Sequence, residues 1–266
     1  MPASIFCRPV SNILRTLRVA LIAPVVTVLM LGGCATPPPA DADADEISEW
    51  KANNDPLEPM NRAMFAVNQA VDKAVIKPVA QGYQTVVPVF GRQRVHDFIT
   101  NLRSPVILAN DLMQGEPDLA AQTFSRFFMN TGFGIAGLFD VATEGGIPFH
   151  DQDFGLTLAR WGVGEGPYLV LPLLGPSNPR DATGIVAEWV SDPFNIYMDN
   201  TGREWLVWTR AGVAGLDKRQ GLLDSLDDVE RNSVDYYAAL RTLYRQQRAQ
   251  KLNNAKAKGQ ARTAKL

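Results

Sequence analysis

From Asn53 onward, apolar residues recur at three- and four-residue steps, the spacing that gathers them on one face of an α-helix. Behind Asp55-Pro56 the stripe runs Met60, Ala63, Met64, Val67, Ala70, Val71, Ala74 and Val75. It predicts a helix ending before Lys77-Pro78, because proline has no amide donor and disfavours helical backbone in the residue ahead of it. A second stripe, Val95, Phe98, Ile99 and Leu102, is expected to stop at Pro105. A third follows Asp118 as Leu119, Ala120, Thr123, Phe124, Phe127, Phe128 and Thr131. The clearest comes last: Leu222, Leu226, Val229, Ser233, Tyr236, Leu240 and Leu243 lie near a seven-residue period and predict one long C-terminal helix over about 217–251. Strand alternation is confined to a short run at 168–171. The patterns predict a mostly α, single-domain fold, and the absence of a fixed repeat argues against a solenoid.

The stretch 132–179 breaks the helical rhythm. Glycine and proline recur every few residues among apolar ones, as in Gly132, Phe133, Gly134, Ile135, Ala136, Gly137, Leu138, Phe139 and again from Tyr168 through Pro172 to Gly175-Pro176. A loop facing water would be more polar. Small residues allow close backbone approach where lipid is the surrounding medium, so the central segment is expected to be irregular and apolar.

The N-terminus carries a different pattern. Residues 1–33 contain no acid, and Arg8, Arg15 and Arg18 precede an apolar run over 19–33 that Pro24 interrupts. A charged region followed by about 15 apolar residues is the layout of a secretory signal, and it falls short of the roughly 20 a spanning helix needs. The run ends in Leu31-Gly32-Gly33-Cys34, which resembles a bacterial lipobox, with cleavage before a lipidated Cys34. Ala35 stands where an inner-membrane retention signal would have Asp, which by resemblance to Gram-negative sorting implies the outer membrane. Cys7 would leave with the signal, so the mature chain would have no thiol for a disulfide. Residues 34–52, Pro-rich and then acidic, are expected to form a flexible linker. Asp41, Asp43 and Asp45 mimic the start of a calcium loop, but Glu46 and Ala52 occupy its Gly and Glu positions.

Without the signal, 23 basic residues face 28 acidic ones, a net charge of -5, which excludes a nucleic-acid binder overall. The charge is unevenly spread. Arg241, Arg245, Arg248, Lys251, Lys256, Lys258, Arg262 and Lys265 stand in a C-terminal stretch without an acid, leaving residues 34–240 at -13. Such an arm is either a solvated end, disordered over 252–266, or a docking element for an acidic partner or anionic lipid.

Chemistry is hard to find. Gly132-x-Gly134-x-x-Gly137 fits a dinucleotide fingerprint but follows a helical stripe, whereas that motif needs a preceding strand. His96 and His150 are the only histidines for a hydrolytic set, and 175–179 lacks the last glycine of a nucleophile elbow. His150, Asp151 and Asp153 read as a capped loop in preference to a metal site, and Asp227-Asp228 as solvent-facing charge. No catalytic residue, metal or cofactor is expected.

Asn54-Asp55-Pro56-Leu57-Glu58-Pro59-Met60-Asn61-Arg62, with Lys77-Pro78-Val79-Ala80, resembles the start of the MlaA (VacJ) family of outer-membrane lipoproteins. The likeness continues through Asn101-Leu102, Asn110-Asp111-Leu112, Arg126-Phe127, 137–142, Asp153-Phe154-Gly155, Gly166-Pro167-Tyr168, Leu171-Pro172 and Arg180-Asp181. It implies a ring-like helical domain over 53–251, set in the inner leaflet of the outer membrane on its periplasmic face, with an amphipathic channel. Members remove mislaid phospholipid from the outer leaflet and pass it to a soluble periplasmic carrier of the Mla system, beside trimeric porins, with no cofactor. A phospholipid path needs an apolar wall and sparse cations, which makes Arg126, Arg160 and Arg180 candidates alongside the Gly132 to Phe139 segment. Gly134→Val is then expected to disturb transport more than stability. Two other readings stay open: a structural lipoprotein organising porins or the envelope without moving lipid, and a hydrolase with an acid or nucleophile touching His96 or His150.

Overall fold

A computed structural model describes Asp43 and residues 55–263, with side chains through Asn253. Cys34, the signal at 1–33 and the linker at 34–52 lie outside the described residues, Asp43 apart. The body, which begins at Leu57, contains eleven described α-helices and one two-stranded hairpin: α1 (Glu58–Val71), α2 (Lys77–Val86), α3 (Val89–Met113), α4 (Pro117–Gly132), α5 (Val141–Glu144), α6 (Phe154–Arg160), β1 (Leu169–Leu171), β2 (Gly175–Ser177), α7 (Pro179–Ser191), α8 (Pro193–Asn200), α9 (Glu204–Gly221), α10 (Leu223–Asn232) and α11 (Tyr236–Thr263).

Neither proline stops its helix. A π-helical turn, Asp72–Ile76, joins α1 to α2, and the Lys77 amide reaches back to the Asp72 carbonyl. Pro78 therefore falls where the i→i−4 ladder is already interrupted, and its missing donor leaves no further gap. Pro105 sits inside α3, flanked by buried Ser104, Val106 and Ile107, so packing on both sides holds the helix through it. The expected single C-terminal helix is three. The chain turns at Leu222, and again at Ser233, whose backbone is extended; Asp235 then accepts a hydrogen bond from the Ala238 amide at the start of α11. Beyond Lys251 the backbone stays helical to Thr263, where disorder is expected from the charge alone; the Ala, Lys, Gln and Arg in that stretch are good helix formers.

Two asparagines on α1 carry the hairpin. Asn61, fully buried, donates to the Tyr168 carbonyl at 2.9 Å and accepts from the Val170 amide at 2.9 Å. Asn68 does the same two turns later, donating to the Leu171 carbonyl and accepting from the Leu173 amide, both at 2.8 Å. One helix face thus stands in for a third strand and satisfies the free edge of β1. The hairpin pairs Leu169 with Ser177 and Leu171 with Gly175. Its Tyr168 packs edge-on against Tyr237 and Tyr244 of α11, while Arg62 bridges Asp235 at 2.5 Å and covers the Tyr237 ring at 4.4 Å. The motif residues Asn61, Arg62 and Tyr168 therefore join the start, middle and end of the chain.

The interior is unusually polar. Apart from Tyr168 and Ile107, the largest fully buried side chains are Asn61, Asn110, Thr157, Asp111 and Ser177. Two of them anchor a network: Thr157 donates to Asn110 at 2.8 Å, Gln114 donates to Thr157 at 3.0 Å and to Gln152 at 3.1 Å, and Asn110 donates to Glu188 at 3.1 Å. Many large apolar side chains lie outside. On α4 the buried residues include Thr123, Arg126 and Asn130, whereas Phe124 and Phe128 are 56% and 62% exposed.

Candidate functional site

A cleft of about 210 Å³ opens between α3, α7, α8 and α9. Ile99, Arg103 and Val106 enter it from one face of α3, at the four- and three-residue steps that align side chains along a helix. Ile185, Glu188 and Trp189 come from α7, and Val207, Arg210, Ala211 and Ala214 from α9. Asp192 caps α8, accepting from the Phe194 amide at 2.9 Å, and holds Arg210 at 2.6 Å. Glu188 accepts from the Phe154 amide at 2.7 Å, and its burial pushes the carboxyl above its ordinary range, against the opposing pull of that amide and of Arg103. Apolar walls with two cations and two acids make the cleft amphipathic. Trp208, 5.3 Å from Trp189, and exposed Trp205 lie beside it on α9.

The arginines singled out by sequence are elsewhere, each on a carboxylate. Arg126 donates to Asp140 at 2.7 Å, to Thr143 at 2.9 Å and to the Ile147 carbonyl; Arg160 pairs with Glu116; Arg180 pairs with Asp181 at 3.1 Å. Each is ion-paired within the body and none of the three lines this cleft. Arg103 and Arg210, which sequence reasoning missed, line the cleft; the available signal was Arg103 sharing the α3 stripe with Ile99 and Val106.

The segment from Gly132 to Phe139 does not line this cleft. It is a turn after α4 whose Gly137 backbone lies against the Asn101 side chain. Asn101 is two residues from Ile99 and Arg103 and so points from the opposite face of α3. Gly134 is required by packing: a Cβ there would come within 2.5 Å of the Asn130 carbonyl oxygen, so a larger residue strikes backbone, contrary to the expectation that Gly134→Val would spare stability. The turn takes three successive left-handed residues, Ile135, Ala136 and Gly137, and presents Phe133 and Ile135 at 74% and 63% exposure.

The histidines can be compared with the hydrolase reading. His150 Nε2 lies 3.0 Å from Asp111 and 3.2 Å from Thr123, and the Thr123 hydroxyl donates to Asp111 at 2.6 Å. A nucleophile–base–acid relay uses opposite nitrogens of the imidazole; here one nitrogen meets both partners, the hydroxyl proton goes to the acid, and Asp111 is wholly buried. The trio ties α3, α4 and the 145–153 loop together. His96 meets Asp217 at 2.8 Å on the surface.

A second cluster forms where α11 returns to the body. Asp153 caps α6 through the Leu156 amide at 2.9 Å and binds Arg248 through both oxygens, at 2.6 and 3.0 Å; Arg248 also donates to Asp181 at 2.7 Å. Burial alone would raise the Asp153 carboxyl, but Arg248 holds it below its usual range. Gly155 makes room, since a Cβ there would come within 2.8 Å of the Arg248 guanidinium, and Gly184 of α7 packs directly on the Gly155 backbone. Lys251 reaches Asp151 at 2.7 Å. Arg248 and Lys251, expected in an arm that is either a solvated end or a docking element, instead pair with acids of the body itself.

The geometry can be set beside known proteins. A model of the MlaA lipoprotein family matches residues 53–251. The chain is 32% identical over 239 residues to the intermembrane phospholipid transport system lipoprotein MlaA of Escherichia coli (strain K12), with 86% of each chain covered. It is 31% identical over 248 residues to the protein of the same description from Haemophilus influenzae, covering 89% of this chain and 91% of that one. An uncharacterised protein of Rickettsia prowazekii is 37% identical over 189 residues, 71% of this chain and 74% of its own. A solved structure from work on the structural basis for maintenance of bacterial outer membrane lipid asymmetry matches with a TM-score of 0.65 and 35% identity, over 73% of this chain and 97% of that one.

Proposed function

The chain belongs to the MlaA lipoprotein family, and from that membership we propose that it is an outer-membrane lipoprotein that draws mislaid phospholipid out of the outer leaflet and passes it inward, maintaining lipid asymmetry. The observation that carries the reading is the inverted distribution of side chains: a hydrogen-bonded polar interior, an apolar exterior that includes Phe124, Phe128, Phe133 and Ile135, and an amphipathic cleft. In water, exposing so much apolar surface is unfavourable; against acyl chains it costs nothing. Among the described residues no helix is long and apolar enough to cross a membrane, which fits a body seated in one leaflet, as interfacial proteins are.

In this reading Cys34 carries the lipid anchor on the periplasmic face, Phe133, Ile135, Leu138 and Phe139 meet acyl chains, and the lipid leaves to a soluble periplasmic carrier beside a trimeric porin. A purely structural lipoprotein would have no use for a cleft that combines Arg103, Glu188 and Asp192 with an apolar wall. The test is a deletion strain in which outer-leaflet aminophospholipid is labelled with an impermeant reagent. Loss of the protein should raise the labelled fraction. The intact protein should reverse the rise, whereas Cys34→Ala or the cleft-filling Ala211→Trp should not. An unchanged outer leaflet in the deletion strain refutes the proposal.

A further inference from the structure

Of the charged side chains in the cleft, Arg210 and Asp192 are bonded to each other, and Arg210 also lies over the Phe194 ring at 4.9 Å. The other two are held apart. Arg103 comes within 3.3 Å of Asp151, whose oxygen on that side makes no hydrogen bond, while Lys251 occupies the other oxygen at 2.7 Å. Glu188 has one oxygen fixed by the Phe154 amide and Asn110, at 2.7 and 3.1 Å; the second makes no hydrogen bond among the described residues. Arg103 lies near enough to favour the Glu188 carboxylate electrostatically, yet the two form no ion pair. Ile99, Val106, Ile185 and Val207 back them with an apolar wall.

A cation and an anion fixed at a distance in one apolar-walled cleft form the complement of a zwitterion. We infer that the cleft receives a zwitterionic phospholipid head group, with the phosphate on Arg103 and a primary ammonium on the open oxygen of Glu188, and so favours ethanolamine phospholipid over glycerol phospholipid. The inference rests on the reading that this chain carries phospholipid. Guanidinium matches the paired oxygens of a phosphate, and the contact is charge-assisted. A partly buried carboxylate binds a charged donor more strongly than a neutral one. An ammonium brings charge and three donors; a glycerol hydroxyl brings no charge, so a glycerol head group offers Glu188 a hydrogen bond without a counter-charge. Quaternary choline carries no N–H and cannot make that bond.

The experiment uses the full-length lipoprotein in detergent, equilibrated with equimolar phosphatidylethanolamine and phosphatidylglycerol, and reads the retained lipid by mass spectrometry. The intact protein should enrich phosphatidylethanolamine several-fold. Glu188→Gln preserves an acceptor for the Phe154 amide and should lower retained phosphatidylethanolamine until the retained ratio matches that supplied, leaving phosphatidylglycerol retention to report the remaining contacts. Arg103→Gln, at a partly exposed side chain, should lower retention of both lipids together, and thermal unfolding of each variant verifies its fold. Retention of neither lipid by the intact protein would overturn the phospholipid reading itself. Retention of both without preference, a preference that survives Glu188→Gln, or wild-type retention by folded Arg103→Gln would overturn this inference and leave that reading standing.

Discussion

Replacing Arg248 by Met removes the guanidinium but keeps most of the side chain's stem, which isolates the charge. Three charge-assisted hydrogen bonds are lost, two to Asp153 and one to Asp181; Asp153 is left without its bonded cation, while Asp181 keeps Arg180 at 3.1 Å. The side chains of Arg248 and Asp181 are 11% and 8% exposed and that of Asp153 is 24% exposed. Removing one partner of such a pair costs about 3–5 kcal/mol when fully buried; the partial exposure of Asp153 argues for the lower end, about 3 kcal/mol. For a body of this size roughly 2–4 °C of melting temperature accompanies each kcal/mol, so the variant should melt about 6–12 °C lower near neutral pH. The acid side supplies a sign check. The folded-state Asp153 lies below its unfolded value of about 3.9, so its stabilisation is present above that pH and is lost as pH falls through the folded value. The gap between intact and variant protein should therefore narrow on acidification below about pH 4. Circular-dichroism melts of the full chain in detergent at several pH values measure both effects. A shift under about 2 °C, or a gap that widens as pH falls, would refute the clamp.

Truncation after Leu252 should leave the melting temperature unchanged, since Arg248 and Lys251 stay in place, whereas truncation after Arg245 should lower it at least as far as Arg248→Met. Gly134→Ala should destabilise by roughly 2 kcal/mol or more through backbone collision, while Gly132→Ala, whose Cβ meets nothing within 4 Å, should be neutral or stabilising by up to about 1 kcal/mol; equal effects in denaturant titrations would contradict the close-approach account. Trp205→Ser combined with Trp208→Ser, made without the lipid anchor in Cys34→Ala, should weaken vesicle flotation with little change in melting temperature, because both rings are at least 60% exposed; undiminished flotation would remove these rings from the membrane contact.

Element type was legible from local spacing. The stripe from Leu119 to Thr131 became α4, and the run at 168–171 became β1. Boundaries failed at Pro78, Pro105 and Ser233, because a proline or a serine acts on the chain only through what the rest of the fold supplies: a π-turn at Asp72–Ile76, packing around Ser104 and Val106, an aspartate cap at Ala238. The motif glycines and asparagines were recognisable as a family pattern, yet their reasons lie across the chain. Asn61 needs the Tyr168 backbone 107 residues away, and Gly155 needs the Arg248 side chain. The arginines were misjudged for a similar cause: Arg126 and Arg103 both sit among apolar neighbours and both meet a carboxylate, and only the tertiary placement of their helices puts Arg103 in the cleft and Arg126 outside it.

The sequence by itself determined that the chain is mostly helical, that its centre is irregular and apolar, and which family its motifs resemble, because all three are read from local spacing. Which way each helix turns was decided by the tertiary structure. An amphipathic stripe has the same period whether its apolar side faces a protein core in water or lipid outside the protein. On α4, Phe124 and Phe128 face out because Thr123, Arg126 and Asn130 find hydrogen-bond partners inside, on Asp111, Asp140 and Thr143. Those partners come from other helices and turns, and no window of sequence around α4 contains them all.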